Sequence, residues 1–290
     1  MKIAAAAYPF TYLNSFADYS TKITKWVADA VGQGAELLVF PEYGAMELAS
    51  LGGPAIAADI EAALHEVARH GPAVDALHCQ LAATYGVYIL GASAPFFAGT
   101  RPVNRATFYG PSGIIGHQDK QIMTRFERDT WDVVAGAGLP VFDTPIGKIG
   151  IVICYDSEFP LLARAMVEAG AEILLAPSCT DSFAGFTRVR VGSMARALEN
   201  QCIVVHAPTV GDCSFCPAVD ENVGSASIYG PPDRGFPANG IFAETPLNAP
   251  GWAVAEVSLA AIHDVRRDGG VLNHQHWAEQ SARIATKAQS

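Results

Sequence analysis

Three polar side chains stand where apolar, strand-like runs end. Glu42 follows LLVFP, Lys120 follows a hairpin-like stretch ending in GHQD, and Cys154 ends the run IGIVI. Their types suit acyl transfer. A thiolate is a strong nucleophile, but a free cysteine is only slightly ionised at neutral pH. A nearby carboxylate can take the thiol proton during attack and later deprotonate water. A lysine ammonium can hold the oxyanion of a tetrahedral intermediate, and its charge also favours thiolate. Each residue taken alone has a plainer reading: Cys154 as core packing, Glu42 as a charge facing a helix N-terminus, Lys120 as a surface lysine.

The elements around them must bring the three together. Strand-like runs at Lys2–Tyr8, Ala35–Pro41, Val87–Ala94, Gly150–Cys154, Ala171–Pro177 and Cys202–Ala207 alternate with helical stretches. Tyr19–Gln33 places Ile23, Trp26, Val27 and Val31 on one face. Ile56–Gly86 reads as helix broken at Gly71 and Pro72, and Pro160–Ala169 as helix begun by its proline. Ala106–Tyr109 and Ile114–Gln118 flank GPSG as a hairpin. Val189–Asn200 reads as helix, Val210–Asn239 as loop, and residues beyond about Asp264 as a polar, partly irregular tail. The pattern predicts one α/β domain over 1–265, with mixed sheets covered by helices, and a tail over 266–290.

The 290 residues are 50% hydrophobic and 17% charged, ample for a large core. A net charge of −10 disfavours nucleic acid and anionic membrane as partners. No run reaches the ~20 apolar residues of a membrane span. The start of the chain does not read as a signal peptide. A cytoplasmic protein with six reduced cysteines is therefore expected. Cys213 and Cys216 form a C-x-x-C with no second ligand pair, so no metal is expected, and they read as loop cysteines near a pocket mouth. His274 and His276 read as a solvated or oligomer-facing tail. Arg196 and Glu199 read as structural charges on a helix.

FPEYGAMEL, DKQIMTRFE and GKIGIVICYDSEFP, in that order, resemble the three signatures of the nitrilase superfamily of carbon–nitrogen hydrolases. RALENQCIVVHAPTVG resembles the segment that follows the family's site. The resemblance implies a four-layer α-β-β-α sandwich that pairs through helical faces into a homodimer or larger even-numbered homo-oligomer. It implies Glu42 as general base, Lys120 as stabiliser of the tetrahedral intermediate and Cys154 as acylated nucleophile. The backbone N–H of Tyr155 would be a second oxyanion donor. Glu127, in MTRFERDTW, matches a second glutamate that positions the lysine and substrate; pairing with Arg125 or Arg128 on a loop is its plain alternative. No cofactor is implied.

Cys154-Tyr155-Asp156 resembles the amidase and carbamoylase branches more than the Cys-Trp-Glu of nitrile hydrolysers. Those branches frequently carry an arginine four residues after the cysteine, where this chain has Glu158. That departure argues against N-carbamoyl amino acids and dicarboxylate ω-amides, which need a cationic clamp. Glu158 either favours a neutral or cationic substrate or simply faces the following helix. Tyr43, Glu158, Cys179 and Thr180 are the candidate substrate contacts, with Phe183, Phe186, Phe215 and Phe236 as a candidate apolar lining. The expected reaction is hydrolysis of a small amide or carbamoyl compound by water. Nitrile hydrolysis, acyl transfer to an amine, and an idle binding or scaffold role are the alternatives.

Overall fold

A computed structural model describes residues 1–284. The strands, in chain order, are Lys2–Pro9 (β1), Leu37–Val39 (β2), Tyr88–Leu90 (β3), Ala94–Phe96 (β4), Val103–Gly110 (β5), Gly113–Asp119 (β6) and Phe142–Thr144 (β7). They continue as Gly147–Ile151 (β8), Ile173–Ser178 (β9), Ile203–Asp212 (β10), Glu221–Asn222 (β11), Ser227–Tyr229 (β12), Ile241–Glu244 (β13) and Gly251–Glu256 (β14).

They form two sheets joined at one seam. One runs β4-β5-β3-β2-β1, the other β10-β9-β8-β7, and β1 meets β10 in parallel at Tyr8↔Thr209 and Pro9↔Val210. Alternation along β1 explains the layers. Ala4, Ala6 and Tyr8 pack under the Phe16–Gly32 helix, with Tyr19, Ile23 and Val27. Ile3, Ala5 and Ala7 face the other way, against Ile149, Ile151, Ile173 and Val205 of the second sheet. Leu174, Ala176 and Val204 on that sheet's outer side meet Ala163, Met166 and Ala197 of two further helices. The result is the four-layer α-β-β-α sandwich. Both faces of the central strands are covered, which is why their sequences run apolar without alternation.

Local signals set the helix ends. The Ser15 hydroxyl accepts the Asp18 N–H and starts the first helix. Helix buries Tyr19, Ile23, Val27 and Ala30, so truncating Ile23 to alanine removes a fully buried side chain, at a cost of about 2–5 kcal/mol. Three sequence expectations change. Ser182 caps a helix that begins at Phe183, so the helix expected from Val189 starts earlier and takes in Phe183 and Phe186. β10 extends to Asp212 because Gly211 and Asp212 pair with β11. Residues 264–268 lie in helix Leu259–Asp268, held down by buried Ile262 and Val265. The expected 266–290 tail also contains helices Asn273–His276 and Glu279–Ile284, and its last residues lie outside the described ones.

Topology places the site. β3, β2, β1, β10, β9 and β8 all run parallel, so their C-terminal ends share one edge. β6 is antiparallel to β5, which is antiparallel to β3, so β6 ends at that edge as well. Glu42, Lys120, Cys154 and Cys179 follow β2, β6, β8 and β9 respectively.

Candidate active site

Lys120 sits between two carboxylates. Its Nζ donates to Glu42 Oε1 at 2.8 Å and to Glu127 Oε2 at 2.6 Å. All three are buried, as is Cys154. Glu42 also accepts Asn104 Nδ2 on Oε1 at 2.9 Å and the Cys179 N–H on Oε2 at 2.9 Å. Glu127 opens helix Arg125–Asp129 in a capping box with Thr124, whose N–H and hydroxyl both reach its Oε2. The Tyr43 hydroxyl donates to Glu127 Oε1 at 3.0 Å, and its ring packs against buried Trp131. Glu127 therefore bonds inward to Lys120, not outward to Arg125 or Arg128; Arg125 pairs with Asp129 instead.

Two residues in left-handed backbone flank this cluster: Tyr43 at φ 51° and Cys154 at φ 49°. Such conformations cost of order 1–3 kcal/mol and persist where the surroundings over-determine them. The turn Cys154–Glu158 is held from several sides. The Ser157 hydroxyl donates to Cys154 O at 2.6 Å, and Arg196 Nη1 donates to Ser157 O at 3.1 Å. Gly192 lets its helix come close, since a Cβ there would lie 2.9 Å from Ser157 O. Arg196, read from sequence as a helix charge, thus bonds both Glu199 and the cysteine turn.

Burial dominates the electrostatics. It raises Glu42 to about 7, with Lys120 opposing and Glu127 reinforcing. Burial works against the Lys120 ammonium, but Glu127 and Glu42 outweigh it, so the lysine stays charged well above its ordinary range. Burial also opposes ionisation of Glu127, yet Lys120 and the Thr124 bonds hold it below the usual carboxylate range. The Cys154 thiol is pushed far up by burial and then by Glu42, with Lys120 pulling the other way. The resting site thus keeps the proton on sulfur beside a carboxylate that titrates near neutrality.

The candidate substrate contacts separate. Cys179 offers its backbone: the N–H goes to Glu42, the carbonyl lies 3.9 Å from Cys154 Sγ, and the thiol turns to Asn222 Oδ1. The Thr180 hydroxyl is spent on Val223 O at 2.8 Å. Tyr155 is half-buried, edge-on to Phe159. Glu158 pairs with Arg188 at 3.6 Å and is raised by burial, with Arg188 and Lys120 opposing. The four phenylalanines do not form one lining: exposed Phe183 meets Phe186, which stacks on His206, while Phe215 meets Tyr12 and Phe236 meets Phe242. Cys213 and Cys216 are fully buried among core side chains, not at a pocket mouth, because β11 folds their loop inward. Among the described residues, no three His, Cys, Asp or Glu side chains gather as a metal site requires.

Two partners escaped the sequence reading. Asn104 projects from β5 toward Glu42. Asp156, two residues after the cysteine, accepts the N–H groups of Gln121 (3.1 and 3.2 Å) and Ile122 (2.8 Å), the two residues after Lys120. It ties the cysteine turn to the lysine loop, and burial raises it to about 6 against those bonds. Its place in Cys-Tyr-Asp was the only available signal.

The carbon–nitrogen hydrolase family pattern matches residues 2–267, and the chain belongs to that family. It is 32% identical over 274 residues to a probable hydrolase, YhcX, of Bacillus subtilis (strain 168), covering 93% of this chain and 52% of that protein. It is 30% identical to Nitrilase 2 of Arabidopsis thaliana, over 67% of this chain and 58% of that one. The chain thus spans little more than half the length of these relatives. Its fold is shared with a carbon–nitrogen hydrolase from Helicobacter pylori G27, at TM-score 0.76, 19% identity and coverage of 99% and 96%. It is shared too with an amidase from Nesterenkonia sp. AN1 bearing a Michael adduct of acrylamide at its active-site cysteine, at TM-score 0.69, 22% identity and coverage of 96% and 99%.

Proposed function

We propose that the protein hydrolyses a small amide or carbamoyl compound through a thioester on Cys154. What carries the reading is one buried ammonium shared by two carboxylates beside a buried thiol. Glu42 takes the Cys154 proton as sulfur attacks the carbonyl carbon. Lys120 and the Tyr155 N–H stabilise the oxyanion. The C–N bond then breaks, Glu42 passes its proton to the departing nitrogen, and ammonia or an amine leaves. Water enters, Glu42 removes its proton, and the hydroxide equivalent opens the thioester. The carboxylic acid departs and the proton returns to sulfur.

A base near 7 suits this cycle, because it must accept and return a proton at neutral pH. Glu127 stays ionised throughout and fixes Lys120 between the two acids. Nitrile hydrolysis on the same residues is the second reading, favoured by the nitrilases among the relatives. Intact-mass measurement with a panel of amides, carbamoyl compounds and nitriles decides. An acyl adduct is expected on wild type and accumulates on Glu42→Gln, with none on Cys154→Ala. An adduct that survives Cys154→Ala would overturn the assignment.

We further infer that copies pair through the helices Pro160–Glu168 and Phe183–Asn200. Leu161, Val191 and Leu198 are exposed on them, apolar surface that pairing would remove from water. Light scattering after size exclusion should give a dimer or larger even-numbered assembly, and Leu161→Glu should weaken it; a monomer in wild type refutes this.

A further inference from the structure

A cavity lies on the opposite face of the first sheet from Asn104 and the residues it contacts. Consecutive residues of β5 point to opposite faces. Asn104 reaches Glu42, whereas Arg105, Thr107 and Tyr109 line a cavity of about 240 Å³ under helices Ile60–Arg69 and Gly71–Tyr85. Leu48, Val67, Val74, Ala94 and Phe96 make most of its wall apolar. It is smaller than the roughly 300–1,000 Å³ of drug-sized pockets, so its ligand is small.

Charge selects the ligand. Arg105 is already neutralised: its Nε and Nη2 hold Asp119 bidentately at 2.7 and 2.8 Å, and its guanidinium lies 3.7 Å from the Phe96 ring centroid. Asp75 is different. Its Oδ1 accepts only the neutral Tyr109 hydroxyl at 2.6 Å. Among the described residues, no lysine, arginine or histidine forms an ion pair with it. His78, stacked on Tyr109, is kept below the usual imidazole range by burial. His117 lies exposed at the rim. The wall therefore offers one uncompensated carboxylate beside an apolar surface. A partly buried charge of that kind is stabilised by an opposite charge.

We propose that this cavity binds a small organic ammonium, an apolar body carrying one cationic nitrogen that docks on Asp75. Nothing in the catalytic cycle uses it. Titration calorimetry at pH 8 tests it with benzylammonium, benzyl alcohol and benzoate on the full chain. Benzylammonium is expected to bind saturably, benzyl alcohol at least about tenfold more weakly, and benzoate not at all. Asp75→Asn keeps an acceptor for Tyr109 but removes the charge. Ala68→Phe fills the cavity from a half-buried helix position. Each should weaken benzylammonium at least about tenfold while circular dichroism remains that of wild type. Absence of saturable binding, equal binding by both folded variants, or equal affinity for benzoate overturns the proposal.

Discussion

Two lysine–carboxylate clusters, whose glutamates Glu47 and Glu42 lie five residues apart along the chain, are built for different ends. Around Glu47, Lys22 Nζ donates at 2.6 Å, the Tyr8 hydroxyl at 2.6 Å and the Thr11 N–H at 3.0 Å. Lys22 also bonds Pro9 O and lies over the Tyr8 ring. That is one acid to one base, with the remaining bonds to neutral groups. Around Lys120 there are two acids, Glu42 and Glu127, and a thiol. The lysines respond oppositely. Burial outweighs the single Glu47 and lowers Lys22, whereas two carboxylates outweigh burial and raise Lys120. A balanced pair ties the first helix to β1. A pair with a surplus carboxylate keeps a proton acceptor near neutrality beside a thiol.

The largest effect that tests this contrast comes from removing the lysines. Lys120→Ala leaves two buried carboxylates unpaired, so stability should fall by about 3–5 kcal/mol, and turnover of the folded fraction by about 10²–10³-fold. Lys22→Met should lower stability too, but leave turnover per folded molecule within about twofold of wild type. Denaturant titration alongside active-site-normalised kinetics reads both, and equal catalytic loss in the two variants would erase the distinction.

The carboxylates give the next effect. Glu42→Gln should slow turnover by about 10²–10⁴-fold and trap the thioester. Glu47→Gln should cost about 1–3 kcal/mol with catalysis intact. Burst kinetics and thermal melting separate the two. Asp156→Asn sharpens the picture further. It keeps the shape but loses charge on the two N–H bonds beside Lys120, so about 1–3 kcal/mol is at stake. We expect kcat to fall with KM nearly unchanged; a rise in KM alone would place Asp156 in substrate binding instead.

The smallest effect is a pH shift. The Glu42 carboxylate must be ionised to act as base, so kcat/KM should rise with pH through about 7. Negative Glu127 helps hold Glu42 up. Glu127→Gln removes that charge, so Glu42 should lose its proton at lower pH and the acid limb should move down. A limb that moves up, or stays, would show that Glu127 does not act on Glu42 electrostatically.

Much of the candidate site, as a set of side chains that come together, was legible before the fold was known. Glu42, Lys120, Glu127 and Cys154 each sit in a short segment whose neighbours mark a strand end or helix start. Strand-end chemistry depends on local order, which a one-dimensional pattern carries. Asn104 and the Cys179 N–H were not legible, because their partners lie 62 and 137 residues away. Their approach depends on strand order and register. The phenylalanines failed for a related reason: apolar residues in apparent loops carry no information about which core they join.

Sequence by itself determined which residue types stand at the ends of buried strands, where helices start, and that the core has two covered faces. These follow from periodicity, caps and apolar runs, which act over a few residues. Tertiary structure decided the rest: that two carboxylates share one buried ammonium, that Asp156 braces the lysine loop, and that Asp75 lines a cavity with no ion-pair partner among the described residues. Those outcomes depend on burial and on angstrom-scale approach between distant segments. Both are set only when the two sheets close on each other, and burial is the first cause of the shifts at Glu42, Cys154 and Asp156.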